Sequence, residues 1–360
     1  MSKITIIAPS VSGGGGAEKT AVLLSNALAD AEYNVTLCVM SRMEPKYDLS
    51  KRVKYVKIDE NISSGNIIVK NYKRIQRLKK ILMKETPDIV IGYTIQGGII
   101  SCIMSKLLGT KTIVCERQDP NRFPKSMRLF RNFLYRFATG AVFQTQEAQL
   151  YFRDIVKNSV VIPNFVDLST FPKVVDWSER ENTIVAVGRL VEAKDHKTLI
   201  RAFIKIQKEF PGFLLKIWGE GKLENKLQKL ISDNNMEGKI ILCGRSDNVL
   251  EHIRRAKLFV LSSLYEGYPN ALLEAMVLGI PSISTNCPCG GPADLIRSGE
   301  NGFLVSIGDE IEMADAMKKI LLDVSLAKQF SSEATKKREM HNSDTIIIRW
   351  IDYIRSFIDE

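Results

Sequence analysis

Residues 258–274 read Leu258-Phe259-Val260-Leu261-Ser262-Ser263-Leu264-Tyr265-Glu266-Gly267-Tyr268-Pro269-Asn270-Ala271-Leu272-Leu273-Glu274. Four apolar residues in a row predict a short strand covered on both faces, as in a parallel sheet. Gly267 and Pro269 then make a turn, and Asn270 is placed to cap the helix that follows. A strand, loop and helix in this order is the repeating unit of a doubly wound α/β domain. In such a domain ligands bind in the loops at the carboxyl ends of the strands.

The same unit recurs in both directions. Strands are predicted at 3–8, 35–39, 89–92, 112–115, 141–143 and 160–162, with a glycine-rich loop and a helix over 17–29 behind the first. A polar stretch, 172–182, reads as a linker. The alternation restarts at 184–187 and continues at 214–218, 240–243, 258–261 and 281–284, with helices over 197–209 and 223–234 between them. The expected division is a first domain over 1–168, a second over 169–340, and a helical tail over 341–360. The tail's apolar stripe (Ile347, Ile351, Ile354, then Phe357 or Ile358) lets it cover either domain, the first included. A chain of 360 residues suits two cores of this kind.

Composition excludes several classes. With 45% hydrophobic and 26% charged residues the chain is globular. Its apolar runs are strand-sized, below the ~20 residues that span a bilayer. No signal-peptide pattern precedes the first strand, so a cytoplasmic protein is expected. The six cysteines stand singly apart from Cys287 and Cys289, and the three histidines share no metal-ligand spacing. Zinc sites and a serine hydrolase triad are not expected. Charge is unevenly divided: residues 1–170 hold 25 Lys and Arg against 14 Asp and Glu, and the remainder 26 against 27. An anionic partner for the first domain follows.

Chemistry concentrates at the ends of predicted strands. The loop 12–20 carries Gly13, Gly14, Gly15 and Gly16 before a helix start, an arrangement that lets backbone N–H groups approach a phosphate. Glu18 breaks both the P-loop and the dinucleotide fingerprints. After 184–187 come Gly188, Arg189 and Lys194, two cations suited to a diphosphate. After 214–218 comes Gly219-Glu220-Gly221. Glu266 and Glu274 flank the start of the 270s helix, placed as acceptors for sugar hydroxyls.

These residues together resemble the retaining nucleotide-sugar glycosyltransferases of family four, which have the GT-B fold of two facing Rossmann-like domains. Glu266-x7-Glu274, with Gly188-Arg189-Leu190 and Lys194 upstream, is similar to that family's donor signature. Gly14-Gly15-Gly16-Ala17-Glu18, Gly219-Glu220-Gly221-Lys222-Leu223, Leu242-Cys243-Gly244-Arg245 and Gly299-Glu300-Asn301-Gly302 resemble further family elements, in family order. The resemblance implies that Arg189 and Lys194 clamp the diphosphate, Glu274 binds the ribose, Glu266 touches the donor sugar, Gly244 and Arg245 border the base, Gly267 belongs to the donor site, and Tyr268, Pro269, Asn270, Ala271 and Leu272 hold the diphosphate through their backbone. Gly15 and Gly16 would share it. Two departures stand out. No histidine follows the 112–115 strand, where Glu116 and Arg117 stand instead, and Asp294 is the nearest acid in the element at 289–294.

The expected reaction is transfer from a nucleotide sugar, with a UDP-hexose or UDP-N-acetylhexosamine as leading donor, to a glycan acceptor in bacterial surface polysaccharide synthesis. No Asp-x-Asp pair is present, so neither a metal nor another cofactor is expected. A nicotinamide oxidoreductase and a non-catalytic sugar-binding module are the alternatives; the broken fingerprint at Glu18 disfavours the first. Basic helices over 70–84 and 122–137, the second interleaved with Phe130 and Phe133, suit an anionic membrane better than nucleic acid, for which no recognition motif accompanies the charge. The expectation is a protein resting on the inner membrane face. Glu116 and Arg117, with Arg128 and Arg131 one turn apart, are the acceptor-side candidates, the latter two holding a polyprenyl-linked diphosphate.

Overall fold

A computed structural model describes residues 1–12, 16–59 and 66–358. Gly13, Gly14 and Gly15 of the glycine loop, Gly15 being a candidate site residue, lie outside the described residues. The chain divides into two units, Met1–Phe165 with Ser343–Glu360, and Val166–Asn342.

The first unit runs β1 (Lys3–Ala8), α1 (Gly16–Asp30), β2 (Asn34–Val39), β3 (Lys54–Lys57), α2 (Ile67–Glu85), β4 (Ile89–Tyr93), α3 (Thr94–Leu108), β5 (Lys111–Cys115), α4 (Lys125–Tyr135), β6 (Gly140–Phe143), α5 (Gln146–Phe152) and β7 (Ser159–Val161). All strand pairs are parallel, in the order β3-β2-β1-β4-β5-β6-β7. Successive side chains of a strand point to opposite faces, so in β1 Ile4 and Ile6 enter one core and Ile7 the other. The first core is closed by α1, the second by α2 and α3. Helix α4 packs beside α3.

The second unit contains β8 (Glu181–Val187), α6 (His196–Gln207), β9 (Leu214–Trp218), α7 (Glu224–Asp233), β10 (Ile240–Gly244), α8 (Val249–Ile253), β11 (Ala256–Leu261), α9 (Asn270–Val277), β12 (Ser282–Thr285), α10 (Gly291–Leu295), β13 (Phe303–Val305), α11 (Glu310–Leu322), α12 (Val324–Thr335) and α13 (Lys337–Met340). Its sheet is also parallel, ordered β10-β9-β8-β11-β12-β13. Both sheets therefore reverse direction once, at β1/β4 and at β8/β11.

Three expectations change. The stretch 172–182 is not a free linker. Arg180 is buried and donates to the carbonyls of Arg254, Ala256, Leu278 and Gly279, which fixes the segment to the second unit. The chain crosses between units at 165/166 instead. The terminal helix α14 (Ser343–Ile358) belongs to the first unit, and its buried stripe is Ile346, Trp350, Ile354 and Phe357. The stripe turns by about one residue from the expected one at its start and brings the bulky Trp350 inside. The short strand β3 was not expected, since Lys-Tyr-Val-Lys is an edge strand with polar residues at both ends.

Candidate functional site

In the second unit the order reversal at β8/β11 brings two strand-end loops together. The loop after β8 tightens into a 3-10 turn over Glu192–Lys194, and Asp195, at φ 39°, caps α6 through Thr198. Lys194 is thereby turned toward the loop after β11, where its ammonium pairs with a Glu266 carboxylate oxygen that also accepts from the Ser263 hydroxyl at 2.6 Å. Backbone contacts fix the pair. Leu264 N–H donates to the Ala193 carbonyl at 2.9 Å, Ser262 Oγ to the Lys194 carbonyl at 2.8 Å, and Glu266 N–H to the Pro288 carbonyl at 3.0 Å.

Arg189, in contrast, is exposed and makes no ion pair among the described residues. Its carbonyl lies 3.3 Å from Nε2 of His196, which burial, aided by the Lys194 charge, pushes down to about 4. His196 is therefore a neutral support at pH 7. The floor is closed at Gly219, whose φ of 144° and position suit glycine alone: a Cβ there would stand 2.0 Å from the Gly188 carbonyl oxygen. Gly219 N–H donates to the Gly244 carbonyl at 2.7 Å, joining the ends of β9 and β10. Arg245 beyond them is exposed and lies 4.0 Å from Asp247.

Helix α9 begins at Asn270 itself, with Pro269 at the cap position and no side-chain cap. Asn270 is thus not the cap that the sequence suggests. The cap residue Pro269 offers no side-chain acceptor, and the N-terminal end of a helix favours an anion. Leu272 is buried in the core and Ala271 half-buried, so any contact they make to a ligand is through backbone. Glu274 is half-buried, one turn into α9. Gly267 lies between Glu266 and Tyr268, its carbonyl passing close to Gly291. Tyr268 is buried, and its hydroxyl meets Nε2 of His341 at 2.5 Å. Sequence reasoning missed Ser263, His196 and His341. Only Ser263 carried a signal, as a hydroxyl at the predicted strand end.

On the first unit the candidates separate. Arg131 does not lie on the surface with Arg128. Its side chain is wholly buried, 3.4 Å from a Glu116 carboxylate oxygen, and donates to the Pro120 carbonyl, Asn132 and Tyr151. It cannot reach an acceptor diphosphate at the surface, and neither can Glu116. The Glu116 carboxyl is pushed up to about 7 by burial, against the pull of Arg131. Arg128 is half-buried and donates to Asn121 at 2.9 Å. Arg117 is buried over Tyr93, and Gly16 starts α1.

The outward face of this unit settles which way the apolar residues of α4 point. Met127, Leu129, Phe130 and Phe133 are exposed, while Leu134 and Tyr135 turn inward. Lys125, Arg136 and, on the adjacent α3, Lys106 are exposed beside them. On α2 the charges divide: Lys70 and Arg74 pair with Asp59, whereas Lys73, Lys80 and Lys84 are exposed. Among the described residues no helix is long and apolar enough to cross a membrane, and no group of three or more His, Cys, Asp or Glu is arranged to hold a metal ion.

Comparison with known proteins agrees with this layout. A family described as glycosyl transferases group 1 matches residues 169–337, and one described as glycosyltransferase family 4 matches residues 14–170. The amylovoran biosynthesis glycosyltransferase of Erwinia amylovora is 24% identical, covering 98% of this chain and all of that protein. A Campylobacter jejuni α-1,4-N-acetyl-D-galactosaminyltransferase acting on a diNAcBac-PP-undecaprenol-linked glycan is 26% identical over 98% of each chain. Among solved structures, sucrose-phosphate synthase from Thermosynechococcus elongatus superposes with a TM-score of 0.87 at 17% identity over the whole of both chains. Anabaena HepE in complex with UDP-glucose gives 0.82 at 17%, covering 98% of this chain and 99% of the other.

Proposed function

Because this chain belongs to the glycosyltransferases of the family-four type, with the GT-B fold, we propose that it transfers a sugar from a UDP-linked hexose or N-acetylhexosamine, with retention and without a metal, to a lipid-linked glycan of bacterial surface polysaccharide. The observation that carries the donor assignment is the meeting at β8/β11 of Lys194 and Glu266, with Arg189 left open beside them. A leaving diphosphate develops negative charge. In this reading Arg189, Lys194 and the start of α9 neutralise it, a purely electrostatic stabilisation. Glu266, aligned by Lys194 and Ser263, has oxygen capacity left for a sugar hydroxyl, and Glu274 for the ribose. The acceptor hydroxyl attacks on the face from which the diphosphate departs, and a phosphate oxygen takes its proton. The UDP-glucose complex of the structural neighbour and the undecaprenol-linked acceptor of the Campylobacter relative support these choices.

The acceptor's lipid explains the outer face of the first unit. Phe130, Phe133 and Met127 enter the headgroup region, and Lys73, Lys80, Lys84, Lys106, Lys125 and Arg136 meet anionic lipid at about 1 kcal/mol each. A panel of labelled nucleotide sugars, assayed with excess chelator and a polyprenyl-linked acceptor, tests the whole reading. Anomerically retained product from a UDP-sugar is expected. Activity that disappears with chelator and returns with magnesium refutes the metal-free mechanism, and no turnover with any donor refutes the transfer reading.

A further inference from the structure

Three arginines are buried among the described residues, and two of them are fully explained by their partners. Arg131 has a carboxylate, a carbonyl, an amide oxygen and a phenol. Arg180 has four carbonyls. Arg117, only 7% exposed, has one hydrogen bond, from Nη1 to Asn164 Oδ1 at 3.3 Å, and its Nε has no partner. Among the described residues no carboxylate lies within ion-pair distance. Its other neighbours are the Tyr93 ring 4.5 Å from its guanidinium carbon, the Trp350 ring at 5.7 Å, and the Cys115 thiol. The adjacent Glu116 carboxylate feels the Arg117 charge but makes its ion pair with Arg131.

Cation–π contact and the nearby Glu116 charge recover part of the cost of burying a guanidinium, but a charge out of water with no ion-pair partner remains unfavourable. Such a charge points to a missing anion. Its place supports this. Tyr93, Arg117, Gln144 and Asn164 are all buried polar groups at the carboxyl ends of the adjacent strands β4, β5, β6 and β7. Gln144 donates to the same Asn164 oxygen that Arg117 meets. Thr94, at the end of β4, holds a φ of 65°, rare for a β-branched residue, and its buried hydroxyl has no partner. Two donors without acceptors, Arg117 Nε and the Thr94 hydroxyl, therefore lie near the carboxyl ends of the neighbouring strands β5 and β4, beside the order reversal at β1/β4.

We propose that Arg117 is the counter-ion of a phosphate-bearing ligand on the first unit, with the Thr94 hydroxyl as a second donor. The diphosphate can come from the sugar donor or from the lipid-linked acceptor. Only that choice of sources rests on the transfer reading, since the anion itself follows from the unpaired charge.

The test is calorimetric, on the full chain, with wild type, Arg117→Met and Arg117→Lys. Protein saturated with UDP is titrated with farnesyl diphosphate and with inorganic pyrophosphate, and UDP affinity is measured separately. A tenfold or greater loss of farnesyl diphosphate and pyrophosphate binding in Arg117→Met, with UDP affinity unchanged, assigns the anion to the acceptor. A tenfold or greater loss of UDP affinity assigns it to the donor. Arg117→Met is expected to melt no lower than wild type without ligand, because it removes a buried charge with no ion-pair partner, whereas a purely structural arginine would lower the melting temperature. If Arg117→Met fails to fold, Arg117→Lys, which keeps the charge and loses the planar fork, is read in its place. Binding of all three probes within twofold of wild type in folded variants overturns the proposal. Pyrophosphate binding that depends on Arg117 stands even if no donor sugar is ever transferred.

Discussion

Arg189→Ala and Lys194→Ala each remove one cation from the same end of the second sheet, yet their consequences should differ in kind. Arg189 is exposed and unpaired, so its removal should change stability by less than about 0.5 kcal/mol. Lys194 keeps 20% of its side-chain exposure and Glu266 13%. Without Lys194, Glu266 retains the Ser263 hydroxyl but loses its charge partner, at a cost of about 1–3 kcal/mol. In a unit of this size that corresponds to a fall of about 2–12 °C in melting temperature. Turnover should fall alike in both, since each cation contributes about 2.7–4 kcal/mol to the barrier, or roughly 100- to 1000-fold. Adding Glu266→Gln to Lys194→Ala replaces the stranded carboxylate with a neutral amide that still bonds Ser263; stability should return while turnover does not. Thermal melts beside a nucleoside diphosphate release assay separate these outcomes. The reasoning fails if Lys194→Ala melts like wild type, if Arg189→Ala melts far below it, or if both turn over within about threefold of it.

Met127→Ser/Phe130→Ser/Phe133→Ser should fold normally. Each side chain is about half exposed already, so the three together can contribute about 2 kcal/mol or more on entering a membrane. Flotation with anionic liposomes should show binding weakened about thirtyfold, and unchanged flotation would remove the docking surface. His196 stays neutral in the fold down to about 4 against 6.5 when unfolded, so its contribution is complete above pH 6.5 and declines, by up to about 3 kcal/mol, as pH falls toward 4. Urea melts from pH 4.5 to 7 should show this slope reduced in His196→Gln; an identical slope would refute it. Tyr268→Phe removes the hydroxyl from a buried histidine nitrogen and should cost about 1–3 kcal/mol, measurable by melting.

Much of the fold was legible because parallel strands are covered on both faces, and runs such as Ile4 to Ala8 can hardly be read otherwise. The loops at strand ends followed from that alone. What remained hidden depends on direction or on distance along the chain. Arg128 and Arg131 are equal as letters, but their three-position separation on α4 turns the first toward Asn121 and the second into the core against Glu116. The bond between Lys194 and Glu266 spans 72 positions and exists only because β11 lies beside β8. Tyr268 and His341 likewise meet through packing that no local pattern announces. Asn270 was misplaced by one residue, since Pro269, with its fixed φ, already supplies the entry to the helix.

The placement of α14 has a consequence for how the protein is made. Val166–Asn342 is one uninterrupted stretch, so on the ribosome the second unit is complete in sequence before α14 is made. The first unit lacks Ile346, Trp350, Ile354 and Phe357 until α14 emerges, and with Trp350 it lacks one of the two rings beside Arg117. A nascent chain released early would carry a finished carboxyl-terminal unit behind an amino-terminal one with an open apolar face. Such species are prone to aggregate. A stop placed just before α14 should therefore damage the part of the protein that was synthesised first.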